Sequence, residues 1–184
     1  MPKQSPSAFS LVERAREGDQ AAFRQLVTQH ESLVRATVRG MLGDTAEADD
    51  AAQETFIRFY QSLPNFRGEA EVSTYLCRIA INLSINELRK RQRRSRWLSV
   101  AAREGEPGDR EDTGANPGRQ EMREMLIKAL QILGPEFRSV VTLRLIDGYS
   151  VKETADILSL PEGTVASRLA RGQQKLREIL EKWL

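Results

Sequence analysis

The feature that most constrains this chain is the spacing of its apolar residues, which recur at three- and four-residue steps over most of its length. Phe23, Leu26, Val27, His30, Leu33, Val34, Val38, Met41 and Leu42 fall on one stripe, because a 3.6-residue turn brings side chains three or four apart onto the same face. Asp19 to Leu42 is therefore predicted as one amphipathic helix between Gly18 and Gly43. Asp44 and Glu47 have the spacing of a capping box, and Ala48, Ala51, Ala52, Thr55, Phe56 and Phe59 carry the period to about Leu63. Pro64 to Gly68 breaks it. Ser73 or Thr74 can then cap a third helix that turns Leu76, Ile79, Ala80, Leu83 and Leu88 inward and ends near Trp97.

Residues 98–118 hold four glycines, Pro107, Pro117 and mixed charge with little apolar content, the composition of a flexible linker. Beyond it Met122, Met125, Leu126, Ala129, Leu130 and Leu133 form a helical face that stops at Gly134-Pro135. Phe137, Val140, Val141 and Leu145 form the next face, and two short helices follow. Strand-like alternation and hairpin dipeptides are missing. The expected fold is all-α, with small helical domains over 1–97 and 119–184.

A chain of 184 residues, 40% of them hydrophobic and 29% charged, can bury one moderate core or two small ones. Its net charge of +2 does not by itself indicate a nucleic-acid partner, but the charges are segregated. Asp44, Glu47, Asp49, Asp50 and Glu54 occur together without a cation, whereas Arg89, Lys90, Arg91, Arg93, Arg94 and Arg96 occur together without an acid. Two surfaces for opposite partners follow. Cys77 is the single cysteine, which excludes an intramolecular disulfide, and the lone His30 lies too far away for a Cys/His zinc site. His30 and Cys77 are read as packed residues. No run approaches the roughly 20 apolar residues of a membrane helix, and the basic-then-apolar order of a signal peptide is missing, so a cytoplasmic protein without membrane insertion is expected. No phosphate-cradling glycine loop, metal cluster or nucleophile-base pair is visible, so no catalytic residue, metal or cofactor is expected and an enzyme is disfavoured.

Near the C-terminus Gly148 and Tyr149 precede Ser150, an N-cap, with Glu153 placed to reach back to it. Ala155, Ile157 and Leu158 pack inward, Ser159-Leu160 turns, and Pro161 suits the first turn of a second helix. That is a helix-turn-helix. In its second helix Val165, Leu169, Leu176 and Leu180 face inward, leaving Glu162, Thr164, Ser167, Arg168, Arg171 and Lys175 for base edges or backbone in a major groove. On the third helix Tyr75, Arg78, Asn82, Asn86, Arg89, Arg93 and Arg96 share a face. An aromatic, amides and cations in one row suit single-stranded DNA, through stacking, base-edge hydrogen bonds and phosphate contacts. Asp50, Gln53, Glu54 and Ile57 form an acidic face with an apolar centre that could dock a basic helix. Read from the residues alone, a conventional helix-turn-helix regulator and a helical adaptor without DNA function remain open beside a two-site DNA reader.

The segment Asp49-Asp50-Ala51-Ala52-Gln53-Glu54-Thr55-Phe56, then Phe66-Arg67-Gly68-Glu69 and Thr74-Tyr75-Leu76-Cys77-Arg78-Ile79-Ala80-Ile81-Asn82, resembles sigma region 2 of the extracytoplasmic-function (ECF, group IV) sigma factors of the sigma-70 family. Leu133 to Leu180 resembles sigma region 4. The resemblance implies an alternative sigma factor that binds core RNA polymerase, directs it to promoters and assists melting. It implies that Asp49, Asp50, Gln53, Glu54 and Ile57 meet the beta-prime coiled coil and that region 4 meets the beta flap. Phe66, Arg67, Tyr75, Arg78, Asn82, Asn86, Arg89 and Arg93 would read the minus-10 element, and the helix from Glu162 to Lys175 the minus-35 element. An anti-sigma factor, often membrane-bound, is the implied regulator. Tyr75 stands where Trp is frequent, and Ala166 and Ala170 stand where larger or basic residues are frequent.

Overall fold

The computed structural model describes residues 8–101 and 117–183, with side chains over 10–94 and 121–183. All regular elements among the described residues are helical. In chain order they are α1 (Ala8–Arg16), α2 (Gln20–Leu42), α3 (Ala46–Ser62), a 3₁₀ turn (Leu63–Asn65), α4 (Val72–Ala101), α5 (Pro117–Ile132), α6 (Pro135–Val141), a π-helical turn (Thr142–Ile146), α7 (Val151–Leu158) and α8 (Glu162–Leu180). This is the all-α class read from the apolar period.

Local chemistry moves several predicted boundaries. Asp19 is the N-cap of α2, its carboxylate accepting from the N–H groups of Ala21 and Ala22 at 2.9 and 3.0 Å. Thr45, not Asp44, caps α3 by accepting from Ala48 N, because Asp44 is drawn to Arg39 at 2.5 Å. Glu47 pairs across to Arg91 at 3.1 Å. α4 starts at Val72, whose burial pulls the helix start forward, so neither Ser73 nor Thr74 is its cap. α4 also runs past Trp97 to Ala101, since no glycine or proline interrupts it before Gly105. Both ends of the expected linker are thus helical, and residues 102–116 of it lie outside the described residues. Leu145, expected to face inward, is 50% exposed while Leu143 is fully buried. The wider π turn after Val141 changes the angular step and rotates Leu145 outward.

α1 to α4 enclose a core centred on Phe59, with Leu26, Val34, Val38, Leu76 and Ile81 fully or almost fully buried. α5 to α8 enclose smaller clusters around Leu130, Val141 and Leu176 and around Val140, Ala155 and Val165. The two halves are packed together: Leu143, Tyr149 and Ile157 belong to the same buried cluster as α2 and α4. At this seam Thr37 donates to Asp147 Oδ2 at 2.8 Å, and the Tyr149 hydroxyl donates to Cys77 Sγ at 3.3 Å. A Cβ on Gly40 would lie 2.7 Å from the Thr142 side chain, so only glycine lets the π turn approach α2 this closely.

Burial of Asp147 at the seam pushes its carboxyl up to about 6, partly offset by the hydrogen bond from Thr37. A raised value means that the docked arrangement favours the protonated form. Its contribution is full at pH below the ordinary carboxylate value of 3.8 and is lost as pH rises through about 6. The loss is on the order of 2–3 kcal/mol. Asp147→Asn is accordingly expected to raise the melting temperature relative to wild type by an amount that grows from pH 4 to pH 7; an offset independent of pH contradicts this. Gly40→Ala makes a second test, since alanine favours helix by about 1 kcal/mol yet obstructs the seam. The expected outcome is unchanged helicity with faster proteolysis between the two halves.

Candidate nucleic-acid interface

The helix-turn-helix is assembled as its sequence specifies. Gly148 takes φ +79°, which lets the chain leave the π turn. Ser150 Oγ accepts from Glu153 N at 3.2 Å while Glu153 accepts from Ser150 N at 2.7 Å, closing the capping box. Hydrogen bonds to the Glu153 carboxyl from the Ser150 side chain and from its backbone N–H hold that carboxyl below its ordinary value. Ser159 adopts the left-handed conformation at φ 53°, and Pro161 is the N-cap of α8 rather than part of its first turn. Pro161 supplies no capping side chain but its carbonyl accepts from Thr164 N at 2.9 Å, so of the first-turn N–H groups of α8 those of Glu162 and Gly163 are left for solvent or a ligand. Glu162, Ser167 and Arg171 are exposed, Thr164 and Arg168 half-exposed. Ser167 Oγ is turned to Thr164 O at 3.0 Å, and exposed Lys175 holds its ammonium 5.7 Å from the Phe137 ring centroid. Val165 is fully buried and anchors α8.

The α4 face is one row along the helix. Asn82, Asn86, Arg89 and Arg93 are exposed. Arg78, at the head of the row, is half-buried and donates through Nη2 to the carbonyl of Asp156 in α7 at 3.0 Å. Phe66 is only 7% exposed, with its ring 5.8 Å edge-on from Phe59 and 5.0 Å edge-on from half-buried Tyr75. The structure therefore brings Phe66 and Tyr75 together as packed aromatics under the loop, while Arg67 is exposed beside them. Beyond Phe66 the loop walls a cavity shared with His30 and Glu71. His30 is half-buried with Nε2 lacking a hydrogen-bond partner, and burial lowers its pKa.

On α3, Asp49, Asp50 and Gln53 are exposed; Asp49 lies 3.5 Å from Arg35 and Glu54 2.7 Å from Arg58. Ile57 is 51% exposed amid these carboxylates, an apolar contact left uncovered. Sequence reasoning missed Gln131, Arg138 and Asp147, which join the two halves. Their signal was faint: Arg138 and Asp147 are charges inside or beside apolar runs, which solvent exposure explains equally well. Cys77 is buried as expected, and burial pushes its thiol up to about 11, which leaves it unreactive. Among the described residues no group of metal-ligating side chains occurs, and no helix is long and apolar enough to cross a membrane.

Comparison with known proteins shows the family and the fold. The family model for sigma-70 region 2 matches residues 26–94, and that for sigma-70 region 4 matches residues 123–176. The RNA polymerase sigma-H factor of Pseudomonas aeruginosa is 35% identical over 181 residues, covering 95% of this chain and 94% of the relative. The ECF RNA polymerase sigma-E factor of Escherichia coli is 35% identical over 175 residues, covering 90% of each. Among solved structures, CnrH in complex with the cytosolic domain of CnrY superposes with a TM-score of 0.69 at 25% identity, over 94% of this chain and 96% of that one. The sigma factor RpoE bound to the anti-sigma factor NepR from Bartonella quintana shares the fold, with a TM-score of 0.70 at 23% identity over 86% and 96% of the two chains. An ordered pair of helical units, the second a helix-turn-helix, is the class of protein seen here. The chain belongs to the ECF sigma factors of the sigma-70 family, which is not an enzyme family, and is an alternative sigma factor acting in transcription initiation.

Proposed function

We propose that the α3 face docks the chain on core RNA polymerase while α4 and α8 read the two promoter elements. Asp49, Asp50, Gln53, Glu54 and Ile57 would meet the beta-prime coiled coil, with Ile57 supplying apolar contact inside a charged rim. The beta flap would meet the second half, where Ile132 and Leu145 are 60% and 50% exposed. The loop with Phe66 and Arg67, and the face with Tyr75, Arg78, Asn82, Asn86, Arg89 and Arg93, would hold the unpaired minus-10 strand. Glu162, Thr164, Ser167, Arg168, Arg171 and Lys175 would enter the minus-35 major groove.

The observation that carries this reading is the exposed row from Asn82 to Arg93, headed by an Arg78 that the second half holds through Asp156. Amides and cations are offered in one exposed row, and Arg78, the cation of the face nearest the loop, is occupied while the halves are docked. Release of Arg78 upon polymerase binding then couples docking to promoter capture, and the free chain binds promoter DNA weakly. CnrH is seen in complex with the cytosolic domain of CnrY, and the sigma factor RpoE with the anti-sigma factor NepR. By that analogy an anti-sigma factor, in some cases membrane-bound, holds this cytoplasmic chain inactive.

Runoff transcription with purified core polymerase on a genomic promoter library tests the assignment. Asp50→Arg is expected to lower polymerase affinity about tenfold or more, and Arg78→Ala with Asn82→Ala to keep polymerase affinity while losing open complexes. Specific duplex binding without polymerase, together with no new start sites, would support a conventional regulator instead.

A further inference from the structure

The loop beside the α4 face enters from α3 through the 3₁₀ turn, and a residue outside both matched regions holds that entry at two points. Arg16, the last residue of α1, donates through Nε to the carbonyl of Leu63 at 3.1 Å and through Nη2 to the carbonyl of Phe66, while Nη1 meets Glu13 at 2.9 Å. Leu63 and Phe66 bracket the turn, so one guanidinium fixes both its start and its exit. A planar fork imposes a set spacing and direction on two acceptors; a lysine ammonium at the same place cannot.

Both sides of this clamp are anchored. Leu11 and Val12 are fully buried and Ala15 is 4% exposed, so α1 is seated on the bundle. Leu63 is 2% and Phe66 7% exposed, so the side chains of the turn reach into the core while their carbonyls accept from Arg16. Phe66 in turn packs edge-on against Tyr75 and opens the stretch 67–71, which has no regular structure apart from a bend. Such a stretch gives up conformational entropy when it orders on a ligand, and fixing its first residue in advance reduces that cost.

We infer that Arg16 is a positioning residue for minus-10 recognition, holding the backbone at Leu63 and Phe66 so that the loop and Tyr75 meet the unpaired strand already arranged. This rests on the promoter-reading role proposed above for that loop. Arg16 itself touches no base; it acts through the turn.

The test uses holoenzyme assembled from core polymerase and the full chain as wild type, Arg16→Ala, Arg16→Lys or Arg14→Ala. Binding is measured to a single-stranded non-template oligonucleotide from a promoter mapped by runoff transcription and to a scrambled one, alongside melting temperature and core-polymerase affinity. Arg16→Ala is expected to reduce the preference for the promoter strand about tenfold, the scale of two charge-assisted hydrogen bonds partly replaced by water. Melting temperature should fall by no more than about 5 °C, the cost of the same bonds in the folded chain, and polymerase affinity should stay near wild type. Arg16→Lys should recover only part of the preference. Arg14→Ala removes the same charge from the same helix but from an exposed pair with Asp19, and should keep it. Full preference in Arg16→Ala overturns the inference, as does a loss that merely tracks lower melting temperature and polymerase affinity. If wild-type holoenzyme itself fails to prefer the promoter strand, the loop's reading role falls first; if wild type discriminates and Arg16→Ala does too, only the role of Arg16 falls.

Discussion

α2 ends inside the protein, and the carbonyls freed by that ending govern how the two halves meet. A helix leaves its last four carbonyls without intrahelical partners, and each would cost roughly 1–3 kcal/mol if buried unpaired. Here Gly40 O accepts from Gln131 Nε2 at 3.2 Å, Met41 O from Arg138, and Leu42 O from Arg91 at 3.4 Å. Two of the three donors come from α5 and α6, so the end of α2 is completed by the second half of the chain. Arg138 is 5% exposed and also donates to Gln131 Oε1 and Leu133 O at 2.8 and 2.9 Å. Burial, with Arg91 nearby, lowers its pKa to about 10, so it remains a cation at neutral pH, placed at the negative end of a helix dipole.

The seam is thus polar as well as apolar, and that combination suits the separation proposed above. Water can take over the carbonyls of α2 when the halves separate, whereas a purely apolar seam would expose surface with no compensation. The buried carboxyl of Asp147, whose Oδ1 lacks a partner, works against docking near neutral pH. The same packing places α7 over the head of the α4 row, where the Asp156 carbonyl holds Arg78. Docking between halves and the proposed use of Arg78 on DNA therefore compete for one side chain.

Much of this was legible in the sequence wherever the signal is local. The apolar period gave helices, Ser150 and Glu153 gave the capping box, and Gly148 with Pro161 framed the helix-turn-helix. What was not legible depends on distant partners. Asp44 has the chemistry of a cap but is drawn off by Arg39, leaving Thr45 to cap α3. Leu145 follows the apolar period until the π turn rotates it outward. Phe66 could be read as an offered aromatic, yet Phe59 and Tyr75 enclose it. Arg16 lies in α1, for which no helix was read from the sequence, and its partners, the carbonyls of Leu63 and Phe66, are 47 and 50 residues away.

The central claim is that two DNA-reading halves, packed together in the free chain, separate on polymerase. The most direct measurement is the distance between labels on cysteines introduced at Gln61 and Gln173, both exposed, with and without core polymerase. Native Cys77 is buried and its thiol is pushed up to about 11, so it does not compete for the label. Separation of the labels by on the order of 20 Å when polymerase is added, a distance that a linker of this length spans, is the expected result. An unchanged distance in a holoenzyme that initiates from its own promoters would contradict the account.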